Sequence, residues 1–514
     1  MELEVLGISY CQLNGSIPKE IGNLKNLKFL DLQMNILSGL IPEEIGGCIE
    51  LQNFAASNNG LEGKISGSFG KLESLQILNL ANNSLSGSIP VEFSQVSNLK
   101  YLNLHGNRLE GEIPSELNQL VQLEKLDLSK NSLLGPINLF NTQLKNLEAL
   151  VLSENFLIGS LPANLCIRNL NIRQLFLANN NLSGKIPVDL LNCSSLEQLD
   201  LSDNNFEGAL PPNLHKLESL KDLLLNNNSF SGTLPPDIGN MSRLETLFLF
   251  DNMITGGIPV EIGTLQRLSV LYLYDNQMSG SIPNELTNCS SLTEIDFFGN
   301  QFLGALPPTI GKLENLVLLQ LRQNDLSGLI PSSLGYCRKL LQLVLADNKF
   351  SGPLPTTFRF LSDLFLITLT TIHSKIGNLT SLNVLNLQNN NLSGTIPQTL
   401  QQFKKLYELK ISINSLTGTI QPEIGTLTEL QEKSQLHLEI IKSPQAKLSS
   451  NHLKGQLPST LSGFPLSFFQ GNGKLCGPPL ASYLESTRHE RKWLSESSVA
   501  GIIMAIAFTS TLIC

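Results

Sequence analysis

Residues 27–42 read Leu-Lys-Phe-Leu-Asp-Leu-Gln-Met-Asn-Ile-Leu-Ser-Gly-Leu-Ile-Pro, and this stretch decides the fold. Leu30 and Leu32 lie two residues apart, so both fall on one face of a short strand. Asn35 stands where that strand ends, and its amide carries a donor and an acceptor that can satisfy the backbone of a turn. Gly39 permits a backbone that a Cβ would obstruct, and Pro42 fixes the segment that returns. The same letters recur outward from here. Cys11 holds the position of Asn35, and Asn59, Asn83, Asn107, Asn131 and Asn155 follow at 24-residue steps. Asn180 comes after 25, and Asn204, Asn228, Asn252, Asn276, Asn300, Asn324 and Asn348 resume the step of 24. Asn390, Asn414 and Asn451 complete eighteen units.

A fixed period of this length is the signature of a solenoid, in which no unit can bury its leucines alone and stacking gives a continuous core. The expected fold is an α/β solenoid: a superhelix with a concave parallel β-sheet, about 18 repeats of 24 residues, and an inner ladder of buried, paired Asn amides. Composition agrees. With 41% hydrophobic residues the chain of 514 is not disordered, and a net charge of −9 without a basic run argues against nucleic acid as a partner.

Leu85–Pro90, Leu182–Pro187 and Leu392–Pro397 each read Leu-Ser-Gly-x-Ile-Pro. This motif resembles the plant-type class of leucine-rich repeat, which forms the ectodomains of plant receptor-like kinases and receptor-like proteins. The resemblance covers roughly residues 1–475. Within those families the chain is most similar to the long peptide-hormone receptor kinases of the GASSHO type. The resemblance implies a peptide-sensing ectodomain, single-pass in the plasma membrane with its repeats outside, that recruits a leucine-rich-repeat co-receptor kinase. A kinase-less receptor-like or decoy protein and an apoplastic inhibitor of microbial enzymes are the alternatives.

The expected organisation has a solenoid over 1–430 that starts mid-repeat without an N-terminal cap or a signal peptide. An aberrant insertion at 431–447 precedes the last repeat and C-terminal cap at 448–482. A juxtamembrane linker at 483–498 leads to a truncated transmembrane segment at 499–514, sixteen uncharged residues where a spanning helix needs about 20. The step from Asn348 to Asn390 is 42, six short of two repeats, with Ile372 in the ladder position of a disrupted repeat near 370–376. The step from Asn414 to Asn451 is 37, thirteen over. A misjoined gene model accounts for both breaks; a ligand-binding loop island is the alternative. Phe468 to Gly477 resembles the family's cap, whose second cysteine position falls near Tyr483, so the pairing of Cys476 stays open.

Catalytic signatures are absent from the sequence: no Gly-rich phosphate loop, no kinase motif, and Asp296-Phe297-Phe298-Gly299 lies in a repeat strand. No metal or cofactor site is expected. Cys48, Cys193, Cys289 and Cys337 share one slot, thirteen after the ladder residue, and read as free buried thiols because they stand 48 residues or more apart. Sequons fall at Asn14, Asn82, Asn181, Asn192, Asn227, Asn240, Asn288, Asn378 and Asn391, consistent with a secreted glycoprotein.

Positions −6, −4, −2 and −1 from each ladder Asn face away from the core. Three successive units put aromatics there: Phe248 and Phe250, Tyr272 and Tyr274, then Phe298 beside Asp296. Five rings in twelve positions far exceed the 6% aromatic content of the chain. Phe250, Tyr274 and Phe298 are expected to stack as a ladder continued by Arg322, with Asp251 and Asp275 beside it. Rings that pack only on one another are one reading, worth about 0.2–1 kcal/mol per pair. The other is a strip for an extended peptide, with Arg322 meeting an anionic group. The family's Arg-x-Arg pair for a peptide carboxylate reads Gln320-Leu321-Arg322 here, so a single Arg carries over.

Overall fold

The computed structural model describes residues 2–139, 144–162, 165–166, 171–351, 355–364, 366–368, 382–386, 393–396, 400, 402–422, 424, 427 and 446–480. The chain divides into two compact units, Met1–Ser351 and Gly352–Cys514. In the first, fifteen three-residue strands from Val5–Gly7 to Gln342–Val344 form one parallel sheet among the described residues. Each strand pairs with its counterpart one repeat on: Phe29, Leu30 and Asp31 face Asn53, Phe54 and Ala55. The middle residue of each points inward, and Leu30, Phe54, Leu78 and Leu102 are buried. Phe54, Phe69 and Phe93 add a run of core rings 6.0 and 5.9 Å apart.

The Asn ladder forms as the spacing predicts. Asn276 donates from Nδ2 to the carbonyls of Leu249 (2.9 Å), Leu273 (3.2 Å) and Tyr274 (3.2 Å), and its Oδ1 accepts the Ile254 N–H at 2.9 Å. Each amide thus ties its own turn to the preceding repeat. The residue just before it sits in the left-handed region, at φ 50° in Asp251 and 49° in Asp275. That conformation favours Gly, Asn and Asp, so the −1 position, although it faces away from the core, is not free to vary.

The return limb is built from 3₁₀ turns such as Glu43–Gly47, opened by an extended proline, Pro42 at φ −67° and ψ 140°. A 3₁₀ turn rises about 2.0 Å per residue against 1.5 Å in an α-helix, so it spans the limb with fewer residues. A second set of parallel strands, unforeseen from the sequence, occupies the Leu-x-Gly stretch: Ile36–Leu40 pairs with Gly60–Lys64, and so on through the unit. Gly39 and Gly63 lie within it at φ 75° and 76°, where a side chain would be strained.

Cys193 corrects the reading of four free thiols. It is bonded to Cys166, with Cα atoms 5.2 Å apart, a separation usual for a disulfide. Elsewhere the buried thiol of this slot donates to a carbonyl 27 residues back: Cys48 to Ile21 (3.2 Å), Cys289 to Ile262 (3.1 Å), Cys337 to Ile310 (3.4 Å). Cys166 is also 27 residues back from Cys193 and offers a second sulfur. The other three are free and buried as expected. Burial raises all three thiols, Cys289 to about 11 and Cys337 to about 12.

In the second unit Leu366–Thr368, Val384–Asn386, Glu408–Lys410 and Ala446–Lys447 pair in that order. Ile367 faces Leu385 only 18 residues on, so the missing six fall between these strands. The disrupted repeat near 370–376, with Ile372, lies outside the described residues, as does most of the expected insertion at 431–447. Its last two residues, Ala446 and Lys447, face Leu409 and Lys410 as the strand of the repeat ending at Asn451. Asn451 donates to the Ile411 carbonyl at 3.0 Å and accepts the Leu416 N–H at 3.1 Å, which restores the ladder across the extra thirteen residues. Asn472 continues it, donating to Leu448 at 3.0 Å and accepting the Leu453 N–H at 3.1 Å. Cys476 is free and half-buried in the strand Lys474–Cys476, which pairs with Lys454–Gln456. The linker at 483–498 and the apolar tail at 499–514 lie outside the described residues; among those described, no helix is long and apolar enough to cross a membrane.

Candidate functional site

The strip residues come from successive strands of the first unit: Thr246–Phe248, Val270–Tyr272 and Glu294–Asp296. Phe248 faces Tyr272, and Tyr272 faces Asp296, in one row across the sheet. Two residues further along each strand, Phe250 and Tyr274 form a second row on the same side. Four rings assemble. Phe248 stacks on Tyr272 at 4.8 Å between centroids and Phe250 on Tyr274 at 4.2 Å, both nearly parallel. Phe248–Phe250 and Tyr272–Tyr274 contacts at 5.7 and 6.1 Å join the rows. All four rings stay half-exposed, a platform and not a plug.

The expected ladder stops at Tyr274. Phe298 makes no ring pair with it; the Arg322 guanidinium lies 5.9 Å from the Phe298 centroid instead. Arg322 is not held ready for an anion either, because its Nε donates to Asp347 Oδ2 at 2.7 Å. Residue 322 sits two before one ladder Asn and residue 347 one before the next, so the two side chains meet across adjacent repeats.

Around the rings the surface is acidic. The twenty outward positions of the five repeats ending at Asn204 through Asn300 hold seven carboxylates (Asp200, Asp203, Asp222, Asp251, Asp275, Glu294 and Asp296) and no Lys, Arg or His. Sequence reading picked out only three of the seven, because it judged each unit separately and did not add them along the sheet. None of the seven is in an ion pair among the described residues. In the row below, Lys221 and Arg173 both reach Glu197, at 2.6 and 3.6 Å. The Lys221 hydrogen bond holds the Glu197 carboxyl below its ordinary value.

The titrating groups feel this environment. Burial pushes the Asp296 carboxyl up to about 6, with the Asp275 charge adding to it and the Phe298 N–H, 3.0 Å from Oδ1, opposing. Asp251 is raised by burial and by Asp203, and Asp275 by burial and by Asp251. Burial and the surrounding charges of Asp251, Asp296, Asp275 and Asp203 push the Tyr274 phenol up to about 12. Burial raises Tyr272 further, and its hydroxyl donates to the Glu294 carboxylate. Beside the rings, an open depression of about 610 Å³ is lined by Phe176, Asp200, Asp203, Asp222 and Phe248 among others. No group of three or more His, Cys, Asp or Glu among the described residues is placed to hold a metal ion.

The sequons Asn14, Asn82, Asn181, Asn192, Asn240 and Asn288 are exposed, and Asn378 and Asn391 lie outside the described residues. Asn227 is half-buried and its amide donates to Asp203 at 2.6 Å, beside the acidic surface.

A stacked parallel sheet, an Asn ladder and one repeated core define a leucine-rich-repeat solenoid. Family models described as leucine-rich repeat match residues 49–109 and nine further segments, among them 171–193, 195–217, 219–241 and 267–289. The ectodomain of the receptor kinase GASSHO1/SCHENGEN3 from Arabidopsis thaliana, solved with CASPARIAN STRIP INTEGRITY FACTOR 2, is 32% identical; the match covers 93% of this chain and 83% of that one, with a TM-score of 0.65. The Arabidopsis receptor kinase HAESA, solved with the peptide hormone IDA and the co-receptor SERK1, is also 32% identical, over 92% of this chain and 87% of that one, with a TM-score of 0.74. The chain belongs to the leucine-rich-repeat ectodomains of plant receptor kinases. Pollen receptor-like kinase 2 of Arabidopsis thaliana is 36% identical over 99 residues, so the match spans 19% of this chain and only 13% of that protein.

Proposed function

We propose that this chain is the extracellular, peptide-sensing portion of a plant plasma-membrane receptor kinase, and that an extended peptide lies along the strip from Phe248 to Arg322. The observation that carries the site is the four-ring platform, since rigid exposed aromatics supply contact area at little entropic cost. The family supports the ligand class: the HAESA ectodomain was solved with a peptide hormone. By the same likeness, a co-receptor such as the one bound to HAESA joins the liganded receptor. The tail at 499–514 serves as the membrane segment on this reading, the catalytic domain belongs to the cytoplasmic side, and the exposed sequons carry glycans.

The test is binding of a displayed library of random 12-residue peptides to the full chain and to the double variant Phe250→Ala/Tyr274→Ala. Loss of two such anchors should weaken the selected peptides by roughly 10- to 100-fold while the thermal midpoint stays put. Binding that ignores the double variant sinks the site.

A further inference from the structure

We propose that the strip selects a cationic side chain: a Lys or Arg of an extended peptide lays its stem on Phe250 and Tyr274 and carries its charge among Asp251, Asp275 and Asp296. This rests on the peptide-binding reading above and adds the chemistry of the ligand.

Two independent features meet at one place. The rings offer their faces, and a cation over an aromatic face is attracted by the ring quadrupole. The carboxylates surround the same rings: Asp251, Asp296, Asp275 and Asp203 all act on the Tyr274 hydroxyl. Left-handed backbone at residues 251 and 275 accounts for a short polar residue there but not for its charge, since Asn58, Asn82, Asn179 and Asn227 fill the equivalent position in other repeats. Asp296 is half-buried while Asp251 and Asp275 stand exposed beside the rings; each is raised first by burial and also by a neighbouring carboxylate, and none is in an ion pair among the described residues. A ligand cation would fill that vacancy in charge.

The same features argue against the anionic ligand group that Arg322 suggests in the sequence. A carboxylate or sulfate would enter a surface with seven acidic and no basic outward residues, and the Arg322 guanidinium at its far end is held by Asp347. A bare metal ion is no better, as the carboxylates are not gathered tightly enough to ligate one. A long side chain with an apolar stem and a single charged head fits both halves of the site.

The proposal predicts a pH dependence. Asp296 titrates near 6. Facing it are Asp275, Tyr272 and Tyr274 from one neighbouring strand and its loop, Gln320 and Arg322 from the other, and Glu294 on its own strand. Glu294 is bonded to Tyr272 and Arg322 is tied to Asp347, so no fixed cation holds the Asp296 proton off. The charged carboxylates bind, so affinity should fall as pH drops from 7 to 5.

The experiment uses the peptides selected from the random 12-residue library on the full chain at pH 7. Each is resynthesised with Arg replaced by citrulline or Lys by norleucine, and measured on the native chain, on Phe250→Ala/Tyr274→Ala, and on Asp251→Asn/Asp275→Asn/Asp296→Asn. Asn keeps the shape and the Asp296 acceptor, and Asp275→Asn alone serves if the triple variant does not fold. We expect strip-dependent peptides to be rich in Arg or Lys and to lose about tenfold or more on neutral replacement. The triple variant should reproduce that loss, be indifferent to the replacement, and bind equally at pH 5 and 7. Peptides that need Phe250 and Tyr274 yet bind as well without their cation overturn the cationic selection and leave the peptide site standing. If no peptide depends on the two rings, the site itself is wrong and both readings fall.

Discussion

At the scale of single residues, Asn276 shows why the ladder tolerates so little. One side chain satisfies three carbonyls and one N–H, across two repeats, at a buried position. Asn276→Ala strands the Ile254 N–H, an orphaned donor that costs about 1–3 kcal/mol, while the three carbonyls keep other donors in Asn252, Asn300 and the Asp251 N–H. Asn276→Asp has the same shape but points a carboxylate at those carbonyls, so in urea unfolding it should prove the worse of the two. An Asp variant as stable as the Ala variant at neutral pH would show that the donors matter less than the shape. Asp296 makes a prediction of the opposite kind. Its folded carboxyl is raised to about 6 from 3.8, so between those values the folded chain holds more protons than the unfolded one, and stability falls as pH rises through that window. Asp296→Asn keeps the bond from the Phe298 N–H. It should raise the thermal midpoint at pH 7, with the gain shrinking to nothing near pH 4. An equal gain at both values would mean that the carboxylate's charge is not what strains the site.

At the scale of the repeat, most was legible from spacing. The period of 24 placed the strands, the amides and the outward rows, because stacking forces every unit into one register and any outward residue can be located by counting from its Asn. What escaped was what breaks the count. The unit from Asn155 to Asn180 has one extra residue, and within it Cys166 meets the thiol slot that Cys193 fills. Comparing cysteines only within their own slot hid the pair; asking which residue lies 27 back would have found it. Asn472 escaped because it follows Asn451 by 21 residues. Counting also locates Asp347 beside Arg322, but the sequence gives no sign that the two side chains prefer each other to solvent. The disulfide has its own consequence. It closes a loop of 27 residues, for which chain-entropy reasoning gives roughly 3–4 kcal/mol. A reductant, or Cys166→Ser with Cys193→Ser, should lower the midpoint of the first unit, while Cys289→Ala, which removes only a packed thiol, should respond to reductant as the native chain does.

At the scale of the chain, the platform, the acidic surface and the disulfide all belong to the unit Met1–Ser351. Repeat proteins are stabilised by nearest-neighbour interfaces, so a stack of this length has no need of distant contacts to hold its middle. Residues 1–351 produced alone should therefore bind the selected peptides with the affinity of the whole chain, measured by calorimetry or polarisation. A large loss would place part of the peptide on the second unit.

The ladder has an evolutionary corollary. Its bonds use only the Asn and backbone atoms, never the side chains at −6, −4 and −2, so the instructions for folding and the instructions for recognition are written in separate letters of the same repeat. A duplication or deletion of one whole 24-residue segment leaves the folding text intact and moves one recognition motif relative to another by a single strand spacing, about 4.8 Å. Specificity in such a molecule can drift by cut and paste, in steps of one rung, without passing through an unfolded ancestor.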